Sequence, residues 1–323
     1  MLENSKLKKN YIINTILTLS SFIFPLITFP YVSRILLPEG TGRVSFATSV
    51  VSYFLMLSQL GIPTYGIRAC AKVRDDRRKL SRVVHELMAI NLVMSLLSYL
   101  ALGIFVFAIP RLRAESSLIF IISLTILLNA VGMEWLYKAL EQYTYITIRS
   151  VIFKAIAVVA MLLLIRQQSD YVVYGALTIL AASASNVCNF VHAHTYIDLF
   201  PEEKYNYRQH MKPILVFFAM SCATVIYTNL DTVMLGLMKS NVDVGYYNAA
   251  VKIKGILVGI VTSLGTVMLP RLSYYVERGE LEEFQRLTKK AMNFVILLAT
   301  PMMIYFILFA REGIFFLSGS AYE

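Results

Sequence analysis

The run YIINTILTLSSFIFPLITFPYVS, residues 11–33, contains no charged side chain and follows a short basic start at Lys6, Lys8 and Lys9. It is too long for the apolar core of a signal peptide and has no small-residue cleavage site. A helix needs roughly 20 mostly apolar residues to cross the hydrocarbon core, because every backbone donor and acceptor must be satisfied within the segment. Residues 11–33 therefore read as a first membrane span that stays in the protein. Further runs of the same kind lie at 44–67, 87–109, 116–137, 143–165, 171–197, 213–238, 245–270 and 291–310. The composition agrees: 57% of the 323 residues are apolar and only 15% charged, whereas soluble domains carry charge at about a quarter of positions. The fold class is all-α polytopic membrane protein with about nine spans, and no segment outside them is large enough to fold by itself.

The net charge of +10 does not indicate nucleic acid, because the basic residues sit in blocks beside the apolar spans and record orientation. With a cytoplasmic N-terminus, 21 of the 30 Lys and Arg residues fall on the inner side, seven of them between Arg68 and Arg82. The outer side holds seven: Arg34, Arg43, Arg111, Arg113, Arg166, Lys239 and Arg311. The positive-inside rule then places the N-terminus in the cytoplasm.

Cys70, Cys188 and Cys222 are odd in number and unclustered, so neither a disulfide framework nor a zinc site is expected. His192 and His194 form an H-x-H at the end of the sixth span, but no thiol or carboxylate stands at ligand spacing, and a structural role at the interface is the expectation. No metal site and no cofactor is expected. The chain has no Walker A motif, so ATP is not used by it, and an ion gradient is left as an energy source.

The polar break DLFPEEKYNYRQHMK, residues 198–212, follows six spans and contains a proline. It divides the chain into a six-helix lobe (1–200), a cytoplasmic linker (201–212) and a second, incomplete lobe of three spans plus the start of the next segment (213–323). Across this joint the chain repeats weakly. Gly42, Ser45 and Ala47 match Gly245, Asn248 and Ala250, with an acidic residue, Glu39 or Asp243, ahead of each glycine. Six spans separate the copies, so both start from the same side, as in a parallel repeat about an axis along the membrane normal. Only three spans follow the joint, which implies a truncated chain and a whole protein of at least twelve spans.

The stretches PYVSRILLPEGTGRVSFATSVVSYFLMLSQLGIPTYGIR (30–68), MEWLYKALEQYTYITIRSVIFKAI (133–156), TNLDTVMLG (228–236), VGYYNAAVKI (244–253) and TVMLPRLSYYVERGELEEFQRL (266–287) occur in this order. As a set they resemble the Wzx-type polysaccharide flippases of the multidrug/oligosaccharidyl-lipid/polysaccharide (MOP) exporter superfamily, over essentially the whole chain. The resemblance implies a MATE/MOP-like bundle of two lobes in the bacterial inner membrane. It also implies alternating access that moves an undecaprenyl-pyrophosphate-linked oligosaccharide, an O-antigen repeat unit, to the periplasmic leaflet. Membrane lipids and other polysaccharide assembly proteins are the further partners it implies. A drug exporter of the same superfamily is the alternative, and would favour an acidic, aromatic cavity. A membrane-embedded glycan polymerase or ligase is the rival in another class, but every outer loop here has about ten residues or fewer and no catalytic constellation is present.

A charge at mid-bilayer costs about 2.5–3.5 kcal/mol on insertion scales, so each one is a functional candidate. Lys154 falls near the middle of the fifth span with Arg149 closer to the cytoplasm; both could line a basic cavity for a pyrophosphate, or snorkel to the interface. Asp231 and Lys252 lie at equal depth on adjacent antiparallel spans, where an ion pair, static or broken during a transport cycle, or a proton or sodium site is expected. Lys254 points about 200° away from Lys252. Basic residues in the corresponding helix of lipid II flippases are implied in substrate contact, which favours Lys252 or Lys254 without deciding between them. Arg34 is a further candidate for the basic cavity, set against an anchoring role at the interface that it shares with Arg43 and Arg68. Glu134 is expected to pair with Lys138 at i+4. Pro25 and Pro30 would kink the first span unless neighbours compensate.

Overall fold

The structure is a computed structural model and describes residues 2–198 and 205–323. The expected linker therefore lies partly outside the described residues. Among the described residues thirteen α-helices follow one another: Leu2–Gln59 (α1), Ile62–Ala71 (α2), Arg77–Ala108 (α3), Pro110–Ala114 (α4), Ser116–Gly132 (α5), Glu134–Ala139 (α6), Tyr143–Leu164 (α7), Tyr171–Ile179 (α8), Asn186–His192 (α9), Arg208–Met238 (α10), Asn241–Glu277 (α11), Leu281–Leu308 (α12) and Ala310–Ser318 (α13). No strand occurs among the described residues. Six helical stretches there are long and apolar enough to cross a membrane. The protein is a multi-pass, all-α membrane protein.

The first two expected spans are one helical run, α1, broken only at Leu37, whose φ of 58° and ψ of 176° are far from helical. Contacts show that the chain reverses there. Tyr31 bonds the Leu162 and Ile165 carbonyls at one end of α7, and the Ile13 carbonyl meets Thr147 at the other. Beyond Leu37, Leu60 and Ile62 join the cluster that holds Ile146, so the chain has returned to the end where it started. That end is called proximal here and the Leu37 end distal. The break falls immediately before Pro38, whose ring excludes the preceding residue from the α region. Pro25 and Pro30 lie inside the run without breaking it.

Other expected spans also bend. Residues 116–137 cover α5 and α6, which meet at Met133 in the left-handed region, φ 40°. The span after α7 joins α8 to α9 through a π-helical turn at Leu180–Ala184. At the start of α3 the Asp76 carboxylate accepts the backbone N–H groups of Arg78 and Lys79 at 3.1 and 3.2 Å. The bond from the Lys79 N–H, with its ammonium at 3.0 Å, holds the Asp76 carboxyl below its ordinary range. Glu134 and Lys138 pair as expected, at 2.8 Å.

The buried side chains form two main clusters. Val32, Leu36, Phe46, Ile122 and Ile165 fill the distal half, and Leu60, Leu87, Trp135, Tyr137 and Ile214 the proximal half. Large apolar side chains such as Leu96 and Ile104 point outward from α3, the arrangement expected where the surroundings are lipid.

The two glycines matched across the repeat meet at the distal end. A Cβ on Gly42 would stand 1.8 Å from the Asn241 carbonyl oxygen, and one on Gly245 would stand 2.0 Å from the Pro38 carbonyl oxygen. Only glycine permits backbones this close. Gly245→Val is expected to lower stability by about 1–3 kcal/mol, the usual cost of overpacking. Thermal unfolding of the purified protein in detergent reads this, with Gly103→Ala, where a Cβ meets nothing within 4 Å, expected to unfold like the parent.

Candidate functional site

Lys154 and Lys252 come together from helices far apart in sequence. Lys154 lies near the middle of α7, where its ammonium is 3.0 Å from each of the Ser20 and Ser21 hydroxyls and 5.9 Å from the centre of the Phe24 ring. α11 descends from Gly245 and brings the Lys252 ammonium over the rings of Phe29 and Tyr174, at 4.9 and 6.0 Å. Both lysines line one cavity of about 280 Å³ bordered by the first half of α1, α7, α8, the π-helical turn and α11.

The rest of the lining is apolar apart from the hydroxyls of Ser21, Thr28, Tyr174 and Thr178, and contains no carboxylate. Ring faces and hydroxyls stabilise an ammonium only in part. Two positive charges between low-dielectric walls thus leave a field directed into the cavity, which favours an anion.

The other candidates lie elsewhere. Asp231 accepts a hydrogen bond of 2.6 Å from the Tyr247 hydroxyl and is exposed. Tyr247 and Lys252 are five positions apart on α11, about 140° around the helix, so Lys252 faces the cavity while Asp231 meets the Tyr247 side. Equal depth does not bring Asp231 and Lys252 together. Lys254 is exposed and does not line the cavity, which separates it from Lys252 as the 200° rotation requires. Arg34 donates to the Phe316 carbonyl at 2.7 Å and lies along Gly319, securing the region of α13.

Arg149 is buried, donates to the Ser185 carbonyl at 3.1 Å, and has Glu134 at 3.7 Å and the Tyr145 ring at 5.8 Å. It belongs to the proximal packing and not to the cavity wall. His192 stacks on Tyr145 at 4.6 Å while His194 bonds the Val191 carbonyl, so the two rings of the H-x-H serve different neighbours. Sequence reasoning missed Phe29 and Tyr174, since an aromatic residue in an apolar span carries no sign of which ring will meet a lysine on another helix.

A model of the polysaccharide biosynthesis protein family matches residues 7–276. The chain belongs to this family. Two relatives carry the name "Putative O-antigen transporter". The one from Escherichia coli (strain K12) is 22% identical over 270 residues, covering 83% of this chain and 65% of its own length. The one from Shigella dysenteriae is 26% identical over 279 residues, covering 83% of this chain and 67% of its own length. The chain thus spans about two thirds of the length of the curated relatives it matches. No solved structure gives a significant match.

Within this polysaccharide biosynthesis protein the buried Arg149 and the half-buried Lys252 separate by stability. Arg149→Met removes a bond to a buried carbonyl and is expected to cost about 1–3 kcal/mol. Lys252→Met removes a partly desolvated charge that has no counter-ion in the cavity, and is expected to leave stability unchanged or raised. Detergent thermal melts of the two variants check the contrast.

Proposed function

We propose that this protein belongs to a flippase that carries an undecaprenyl-pyrophosphate-linked oligosaccharide from the cytoplasmic to the periplasmic leaflet for surface polysaccharide assembly. One observation carries the reading: Lys154 and Lys252 line a single apolar cavity without a carboxylate. That chemistry suits a diphosphate attached to a polyprenyl chain, with the ammoniums attracting the phosphates and the apolar wall accepting the first isoprene units. The names of the relatives support transport of a surface glycan, and support reading the chain as a transporter component and not an enzyme. An exporter of organic cations would need an acidic group where this cavity presents two lysines.

In this reading the protein sits in the bacterial inner membrane with its proximal end in the cytoplasm, as the Lys and Arg distribution favours. Residues 1–200 and 213–323 then act as two lobes that rock about the cavity, joined by the linker 201–212. Asp231, an intramembrane carboxylate bonded to a phenol, is the candidate through which an ion gradient couples to the motion. Other polysaccharide assembly proteins would take up the glycan at the periplasmic face.

Deleting the complete gene is expected to leave single lipid-linked repeat units on the cytoplasmic leaflet. A normal copy restores export, and copies carrying Lys154→Ala or Lys252→Ala restore it at least about tenfold less well, as loss of a charge-assisted contact predicts. The measurement is polyprenyl-diphosphate glycan in each leaflet. Normal periplasmic repeat units in the deletion strain, with no redundant flippase present, would refute the reading.

A further inference from the structure

Two carboxylates are buried among the described residues, Glu86 and Glu115, 0% and 5% exposed. They stand at opposite ends of the bundle, and each is bonded across to the α10–α11 hairpin. Glu86, on the proximal part of α3, accepts Gln209 Nε2 at 2.9 Å, His210 Nε2 at 2.6 Å and the Asn206 backbone N–H, besides Arg82 on its own helix at 3.0 Å. His210 is itself buried and has its other ring nitrogen 2.8 Å from the Tyr65 hydroxyl of α2.

Glu115 lies at the distal start of α5. It accepts Asn241 Nδ2 at 3.1 Å and has Arg43 at 3.5 Å. Arg111 completes the distal set, donating to Asn241 Oδ1 at 2.8 Å and to the Gly236 carbonyl at 2.9 Å. The charged groups that reach across come from the part of the chain before the linker in both sets. The α10–α11 hairpin supplies amides, a carbonyl and an imidazole.

A buried carboxylate is poor static glue, since well-packed apolar side chains of similar volume usually stabilise as well or better. Its advantage is reversibility. When a polar contact at the edge of a membrane parts, water satisfies both halves, whereas a parted apolar contact exposes surface at a cost proportional to its area. Glu86 gathers its α10 partners at one point, while at the distal end Glu115, through Asn241, shares the hold on the hairpin with Arg111, through Asn241 and the Gly236 carbonyl, so the two ends of the hairpin are held by separate sets.

We infer that Glu86 and Glu115 are paired latches, both closed in this structure, whose alternate release opens the lysine cavity to opposite sides of the membrane. The role of opening rests on the transport reading above; the latches themselves are tested without transport. In the full-length protein with its native cysteines replaced, Ile214→Cys and Val244→Cys place reporters beside the proximal and distal latches, both at positions fully buried here. Glu86→Ala is expected to raise the maleimide labelling rate at position 214 by roughly tenfold or more, the scale of losing a hydrogen-bonded charge, and to leave position 244 unchanged. Glu115→Ala is expected to do the reverse, with a smaller rise at position 244 because Arg111 still holds Asn241 and the Gly236 carbonyl. Glu86→Gln and Glu115→Gln, which keep the shape and lose the charge, give smaller rises at the same reporters. An unchanged rate at the adjacent reporter, or a rise at both reporters in any variant, overturns the proposal. Selective rises in a protein that moves no glycan would uphold the latches and refute transport alone.

Discussion

The contact on which the arrangement rests is the close approach of backbone at Gly42 and Gly245, where the turn of the first hairpin meets the turn between α10 and α11. Side chains on either glycine would hold the two hairpins apart. With them absent, α11 lies directly against α1, and the depth of everything that follows on α11 is fixed by a rise of about 1.5 Å per residue. Lys252, seven positions past Gly245, thereby arrives beside Phe29. Lys154, eleven positions past the proximal start of α7, arrives at a similar depth from the opposite end. The meeting of the lysines thus follows from the meeting of the glycines, although no residue is shared between them.

The charges inside the bundle fall into two groups by what surrounds them. Arg149, Glu86 and Glu115 are buried and bonded to carbonyls, amides, an imidazole or opposite charges. Their desolvation is offset locally, and removing one leaves its partners unsatisfied. Lys154 and Lys252 have hydroxyls and ring faces around them and an apolar cavity in front. No carboxylate in that lining pairs with them, and on the proposed function the phosphates of the substrate would. This difference in partners, and not depth in the membrane, separates a structural cation from one that can hold a ligand.

The spans were legible in the sequence because a bilayer imposes its thickness on composition. Every expected span from 11–33 to 291–310 falls mainly on helix, and six helical stretches among the described residues are long and apolar enough to cross a membrane. The breaks within them were less legible. The kink at Leu37 belongs to Pro38, one of three prolines in the first run, and sequence alone singled out Pro25 and Pro30. The left-handed residue at Met133 carries no compositional sign. Among the site residues, depth was legible and rotation was not. Counting from the outer turn put Asp231 level with Lys252, but α11 presents Tyr247 to Asp231 and turns Lys252 about 140° away. The Glu86–His210 contact spans 124 positions and joins two residues that look, one by one, like ordinary polar edges of spans.

Placing the cavity between two polar latches has a further consequence for the energetics of access. The apolar clusters on either side of the cavity are large and close-packed, and packed interiors switch between discrete arrangements more readily than they deform continuously. In the proposed cycle, breaking one latch would loosen one end of the α10–α11 hairpin while the other end stays held, so that motion pivots about the closed end. The Gly42–Gly245 contact suits the distal pivot, because two bare backbones can slide or tilt against each other with no side chain to repack. At the proximal end Ile214 and the Glu86 set share that task, a polar point beside an apolar seat. In the proposed cycle, a hairpin held at both ends by groups that water can replace would expose the two lysines to one side at a time.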